Sequence, residues 1–299
     1  MNVTLLEDGS AIFVGGQDSG NFRDATRMVK VWSSSSGWRR LADLLNLRGR
    51  WYPGLARLAD GDLLAFGGGQ RPDAARTNTC EIFDQLTGTW RWTGSTAQPV
   101  EFPPCALLYD GRVLKTWGGC ELYDSIAGTW SSTGQLVASN RGYPGHSDHS
   151  LLVLSDRRAL VVGIRRNLAG AQASMAESYD PMLASWSAQG SPALAREQCE
   201  IVYLPDGQVL VAGGGVGTQS TTEPQLYGIV RRCDLFDPAS TAWRRVADML
   251  QFREYHAVTL LVADGRVVTS GGTNIAFRNP PLSADIEAYS PPYLFRGVR

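Results

Sequence analysis

Hydrophobic and polar residues alternate along most of the chain in short runs separated by Gly, Asp and Pro. Alternation with a period of two is typical of half-buried β-strands, and the breaks are typical of turns. One unit recurs six times: an Asp turn, an apolar strand and usually a glycine pair, as in "ADGDLLAFGG" at 59–68. Its aspartates lie 46 to 58 residues apart, at Asp8, Asp60, Asp110, Asp156, Asp206 and Asp264.

A second motif follows most copies, an aromatic-Asp pair with Trp six residues after the Asp, as in "CEIFDQLTGTW" ending at Trp90. Four strands per roughly 50 residues, with paired glycines and a Trp, are typical of kelch-type β-propellers. The sequence therefore predicts an all-β protein, a single kelch-type propeller domain of six four-stranded blades. The predicted blades span approximately 1–45, 46–97, 98–137, 138–191, 192–249 and 250–299.

Closure of this propeller is predicted to be incomplete. The first blade starts directly in its innermost strand, and the last shows no clear fourth strand. Propellers usually hide their last edge by pairing the two chain ends. Two interpretations stay open: a shortened form of a longer protein, or a naturally closed six-bladed form.

Composition excludes several classes of function. Charged residues make up 19% of the chain and the formal net charge is -1, so the basic surface of a nucleic-acid-binding protein is not expected. No apolar run approaches the roughly 18 residues of a membrane span. The start of the chain carries Glu7 and Asp8 and lacks the basic region of a secretory signal.

Blade geometry predicts where a site would lie. Counting back eight residues from each hairpin Asp gives a ring of positions at the head of the innermost strands: Tyr52, Phe102, Asp148, Gln198 and His256. The loops between the second and third strands lie on the same face and vary in length, as binding loops on a rigid scaffold often do. Polar residues at this mouth are either simply solvated or functional.

Two segments carry a resemblance to a known family. "REYHAVTLLVADGRV" at 253–267 and "ADIEAYSPPYLF" at 284–295 resemble the closing blade of the galactose oxidase and glyoxal oxidase family of copper-radical oxidases. "RGRWYPGLARLADG" at 48–61 is similar to the family's Arg-Trp-Tyr segment. The resemblance implies a seven-bladed propeller of a secreted enzyme. Such an enzyme oxidises a primary alcohol, aldehyde or carbohydrate with O₂ and releases H₂O₂.

The same resemblance implies roles for three residues. Tyr52 matches the tyrosine that becomes a radical, Tyr255 the tyrosinate that takes the substrate proton, and His256 a copper ligand; all three match copper ligands. The family's cross-linking cysteine would fall just before Met1, and its second histidine ligand would lie in an immunoglobulin-like domain after Arg299. The resemblance therefore predicts an incomplete copper site and an inactive or incomplete form.

Two other groups of residues, histidines and cysteines, are also candidates for a functional role. His146 and His149 flank Asp148 and supply metal-ligand types, but hydrogen bonding at the mouth is the favoured interpretation. Cys80, Cys120 and Cys233 share one strand position and are expected to be buried packing residues without disulfides. An alternative function is a non-catalytic kelch propeller that binds a protein or glycan through its variable loops.

Overall fold

The computed structural model describes most of the chain. The described residues are 2–17, 25–70, 75–138, 141–143, 146–147, 149–163, 176–192, 194, 196–216, 228–273 and 285–295. They form two compact units, Met1–Gln135 with Tyr143–Ser147, and Leu136–Gly142 with Asp148–Arg299. Each unit is described separately below.

Among the described residues, twelve strands precede residue 136. They are β1 (Asn2–Leu5), β2 (Ala11–Val14), β3 (Val29–Ser33), β4 (Gly37–Arg40), β5 (Gly54–Arg57), β6 (Leu63–Phe66), β7 (Cys80–Asp84), β8 (Thr89–Thr93), β9 (Cys105–Leu107), β10 (Val113–Lys115), β11 (Glu121–Asp124) and β12 (Thr129–Ser132).

Fifteen further strands and a one-turn 3-10 helix follow. They are β13 (Gly142–Tyr143), β14 (His146–Ser147), β15 (Ser150–Val153), β16 (Ala159–Val162), β17 (Ala176–Asp180), β18 (Ser185–Ala188), β19 (Glu200–Tyr203), β20 (Val209–Ala212), β21 (Gly215–Val216), β22 (Gly228–Ile229), β23 (Cys233–Asp237), β24 (Ala242–Arg245), β25 (Tyr255–Leu261), β26 (Val267–Thr273), β27 (Ile286–Tyr289) and the helix Pro292–Phe295.

The strands form propeller blades, as predicted. The first unit contains the four-stranded antiparallel sheets β1–β4, β5–β8 and β9–β12. The second unit contains β15–β18, the sheet β19-β20-β23-β24 and the three-stranded sheet β25-β26-β27. The all-β propeller class is therefore confirmed, and the sixth blade has three strands among the described residues. No helix in the described part of the chain is long and apolar enough to cross a membrane.

The recurrent aromatic pair explains the second sequence motif. In β17 and β18, Tyr179 stands directly opposite Trp186, and their ring centroids lie 5.2 Å apart. Cross-strand aromatic pairs of this kind stabilise a sheet beyond the apolar area they bury. The same contact occurs in Phe83–Trp90, Tyr123–Trp130 and Phe236–Trp243, at 5.2, 5.2 and 4.8 Å.

The core lies between successive blades of each unit. In the first unit β5 contacts both β1 and β9, and in the second β19 contacts both β15 and β25. Residues of β6 such as Leu63 and Leu64 are wholly buried on both faces of the blade. Two-sided burial explains why β6, like β16 and β20, is a continuous apolar run.

The cysteine prediction is confirmed. Cys80 and Cys233 begin the third strands of their blades, and Cys120 immediately precedes β11. All three are buried, and all five cysteines of the chain are free thiols. Burial raises the pKa of Cys80 and Cys233 to about 11. These thiols therefore pack as small apolar side chains and are poor nucleophiles at neutral pH.

Candidate functional site

The predicted ring positions share one unusual backbone conformation. Tyr52, Phe102, Gln198 and His256 have φ values of 50°, 55°, 51° and 63°. The left-handed region is unfavourable for bulky side chains and persists only where the surroundings impose it. The four positions are therefore structurally equivalent, as the count from the hairpin Asp predicted; the fifth, Asp148, lies outside the described residues.

The glycine pairs hold the chain that leads into these positions. A Cβ on Gly15 would lie 2.4 Å from the carbonyl oxygen of Arg50, and Gly16 donates its N–H to that oxygen at 2.8 Å. Gly213 and Gly214 make the same approach to Arg253, at 2.4 and 2.9 Å. Each pair therefore fixes the segment entering the next blade, because only glycine allows backbones this close.

A buried arginine lies in the segment that enters four of the blades. The side chains of Arg50, Arg141, Arg196 and Arg253 are at most 1% exposed, and each pairs with a carboxylate on the third strand of its own blade. The pairs are Arg50–Glu81, Arg141–Glu177, Arg196–Asp234 and Arg253–Glu287, at 2.7, 2.6, 2.5 and 3.1 Å.

Sequence reasoning missed these arginines. Each also donates to the carbonyl of a strand-end glycine; Arg50 Nη1 lies 2.7 Å from the oxygen of Gly67 and Arg253 Nη1 2.6 Å from that of Gly271. The sequence does carry a signal for three of these arginines, because "RGRW", "AREQ" and "FREY" each place an Arg two or three residues before a ring position. The fourth, Arg141, stands seven residues before its ring position and follows no such spacing.

In the first unit, Tyr52 lies in an aromatic cluster. Its ring centroid is 4.7 Å from that of Trp51 and 5.1 Å from that of Phe102, which it meets edge to face. The N–H of Phe102 donates to the carbonyl of Tyr52 at 2.9 Å, and its own carbonyl accepts from Ser147 Oγ at 2.7 Å. Trp51 and Tyr52 are half-buried, while Phe102 is 41% exposed.

Gly69 borders the same cluster. It exchanges two backbone hydrogen bonds with Trp51, both at 2.7 Å. A Cβ at this position would lie 3.4 Å from Trp51 Cε3 and 3.6 Å from Glu101 Oε2. The Glu101 carboxylate in turn lies 3.5 Å from Arg76 Nε. A Cβ at this position would therefore be in ordinary contact with an indole edge and with one member of an ion pair.

In the second unit, Tyr255 and His256 stand at the head of β25. Their rings stack with centroids 3.6 Å apart and planes inclined by 27°. His256 is exposed, but partial desolvation of its ring lowers its pKa, which favours the neutral imidazole at pH 7. Neutral imidazole and tyrosine oxygen are donor types that suit Cu(II), so this pair fits copper by its chemistry.

The remaining candidates have different surroundings. His149 is buried, its Nδ1 lies 3.1 Å from the carbonyl oxygen of Arg141, and burial lowers its pKa to about 3. His146 begins β14, and its side chain is not described. Cys199, which follows the ring position Gln198, is buried, and burial raises its pKa to about 11. Within the described residues, no group of three or more His, Cys, Asp or Glu could hold a metal ion.

Comparison with known proteins gives two curated relatives, while no protein-family model matches the chain. A WSC domain-containing protein of Arthroderma benhamiae is 26% identical over 288 residues, covering 88% of this chain and 30% of the relative. Aldehyde oxidase GLOX1 of Arabidopsis thaliana is 23% identical over 331 residues, covering 97% of this chain and 52% of the relative. The chain thus spans about half or less of these relatives.

A solved structure supports the fold. A fungal alcohol oxidase of the AA5 family, in complex with copper, is 17% identical and aligns with a TM-score of 0.58 over 99% of this chain and 74% of its own. The blades of the structure and its alignment with this oxidase both identify the fold as an all-β propeller. The chain is, as its motifs predicted, similar to the galactose oxidase and glyoxal oxidase family of copper-radical oxidases.

Proposed function

We propose that this chain is the propeller of a copper-radical oxidase that converts a primary alcohol or aldehyde with O₂ into the oxidised product and H₂O₂. The observation that carries the proposal is the Tyr255–His256 pair, two stacked rings at the head of β25 with donor atoms suited to copper. An aldehyde oxidase of similar sequence and a copper-bound alcohol oxidase of similar fold support it.

Bound copper would supply one of the two electron acceptors that a two-electron alcohol oxidation needs. His256 would hold the metal through its neutral imidazole, a form favoured at pH 7 because partial desolvation lowers its pKa. Tyr255 would hold it through its oxygen and accept the alcohol proton. Tyr52 is proposed to lose an electron and so become a tyrosyl radical. That radical would be the second electron acceptor.

Copper stoichiometry of the purified chain tests the proposal directly. We expect about one copper per chain, lost in His256→Ala and weakened in Tyr255→Phe, because each change removes a donor atom. Tyr109→Phe is the matched control, since Tyr109 is an exposed tyrosine that is not a member of the pair. Copper binding that persists unchanged in His256→Ala would refute the assignment.

A further inference from the structure

Consecutive blades within each unit pack through one repeated contact. Where the first blade (β1–β4) meets the second (β5–β8), the first supplies apolar residues of β2 and β3, and the second supplies residues of β5 to β8. These residues are Ile12, Val14 and Val29 from the first blade and Leu55, Leu63, Ala65, Phe83 and Trp90 from the second. In the second unit, the sheets β15–β18 and β19-β20-β23-β24 meet through the same strand positions. Each blade therefore has a forward face, which the next blade covers, and a rear face, which packs on the preceding blade.

The rear face of the first blade is uncovered. Its cross-strand pair Trp32–Trp38 takes the positions that Phe83 and Trp90 take in the second blade. Phe83 and Trp90 are 3% and 7% exposed, whereas Trp32 and Trp38 are 42% and 58% exposed. Val3, on the innermost strand of the same face, is 50% exposed. This rear face therefore presents to solvent the apolar side chains that the second blade buries.

The last blade, β25-β26-β27, has its forward face uncovered. Ile286 takes the position in this blade that Val29 takes in the first. Val29 is wholly buried, whereas Ile286 is 72% exposed. On the same face of β25, Val258 and Leu260 are 52% and 59% exposed. Adjacent exposed apolar side chains of this kind mark an interaction site.

We propose that these two faces bind each other between copies of this chain. The rear face of the first blade in one copy would pack on the forward face of the last blade in another, as consecutive blades pack within a unit. Trp38 would then become buried as Trp90 is buried in the second blade. The contact joins two different surfaces and is therefore heterologous, so it links copies head to tail.

Lys30 favours a second copy over a further blade joined to the first by a connecting segment. Lys30 stands opposite Phe13, and the equivalent position of each later blade carries a carboxylate. These carboxylates are Glu81, Glu121, Glu177, Asp234 and Glu287.

Four of those carboxylates pair with the buried arginine of the segment that enters their blade, and the fifth, Glu121, pairs with Lys115. Lys30 is exposed and carries the same charge as such an arginine, so the two would repel each other. The first blade is therefore not suited to an occupant that arrives with a connecting segment of this type. A blade of another copy brings no such segment.

Sedimentation velocity over a dilution series of the 299-residue chain tests the contact. We expect concentration-dependent association, with Kd raised at least about tenfold in Trp38→Glu and in Leu260→Glu, because each places a charge in an apolar contact. Ile126→Glu is the matched control and should leave Kd unchanged, since Ile126 is 99% exposed in the turn between β11 and β12. Far-UV circular dichroism checks that each variant folds, and Ile286→Glu is a second variant of the forward face.

Mixing the two variants tests which faces meet. Trp38→Glu keeps an intact forward face and Leu260→Glu an intact rear face, so the mixture should form one-to-one dimers although neither variant associates alone. A mixture that stays monomeric would overturn the head-to-tail contact. A wild-type chain that stays monomeric at every concentration would also overturn it, and would leave both faces to a blade of another polypeptide. Association unchanged in both variants would place the contact elsewhere and refute the proposal.

Discussion

The buried pair of Arg50 and Glu81 offers the sharpest test of how the site-bearing segments are held. Both side chains are wholly buried and their closest atoms lie 2.7 Å apart. Arg50 Nη1 also donates to the carbonyls of Gly67 and Thr79 at 2.7 and 2.9 Å. Arg50→Met keeps much of the volume but leaves the carboxylate without its cation and both carbonyls without this donor.

The magnitude follows from these contacts. Removing one member of a buried ion pair destabilises a protein by about 3–5 kcal/mol, since the remaining charge is uncompensated. We therefore expect Arg50→Met to lower the free energy of unfolding by about 4 kcal/mol. The double variant Arg50→Met/Glu81→Gln should recover part of this loss, because no buried charge remains and glutamine still accepts the N–H of Asn46, 3.3 Å from Oε1.

Arg57→Met is the matched control for this experiment. Arg57 and Glu7 lie 2.6 Å apart, but their side chains are 38% and 68% exposed. Exposed pairs contribute about 0–1 kcal/mol, so this variant should barely change the urea midpoint. Urea titrations followed by far-UV circular dichroism measure all three variants. Equal losses in Arg50→Met and Arg57→Met would refute the role assigned to the buried arginines.

Three further predictions concern stability. Gly213→Ala should destabilise far more than Gly88→Ala, because both have positive φ but only at Gly213 would a Cβ lie 2.4 Å from the Arg253 carbonyl; thermal melts compare them. Because the folded pKa of His149 is lowered to about 3, the unfolded chain takes up its proton first. Stability from this group is complete above pH 6.5 and falls by about 2 kcal/mol between pH 7 and 5, an effect absent in His149→Gln. Burial raises the pKa of Glu200 from 4.5 to about 7, so the stability that this group contributes is complete below pH 4.5 and is lost as the pH rises from 4.5 through 7; Glu200→Gln should remove this loss.

Each of these three stability predictions has an outcome that would contradict it. Similar melting temperatures for the two glycine variants would show that the backbone approach at Gly213 relaxes freely. Acid sensitivity that survives in His149→Gln would place its origin in another group. For Glu200→Gln, an unchanged slope between pH 6 and 8 would contradict the burial of that carboxyl.

The repeat by itself determined the class of fold and the equivalence of the ring positions. Hairpin turns, alternating strands and aromatic pairs depend on residues within about 50 positions of one another, so their period is visible along the chain. That is why counting from the hairpin Asp identified Tyr52, Phe102, Gln198 and His256, which share a left-handed backbone.

Only the tertiary structure decided what surrounds those positions. Arg50 hydrogen-bonds to Glu81, which is 31 residues away in the sequence, and Phe102 contacts Tyr52, which is 50 residues away. The alternating pattern of the sequence does not predict these contacts. The glycine pairs were visible as a motif, but their close approach to the backbone of the next blade was not. Local periodicity specifies each blade, whereas the site environment depends on how neighbouring blades pack, because those contacts join residues far apart in sequence.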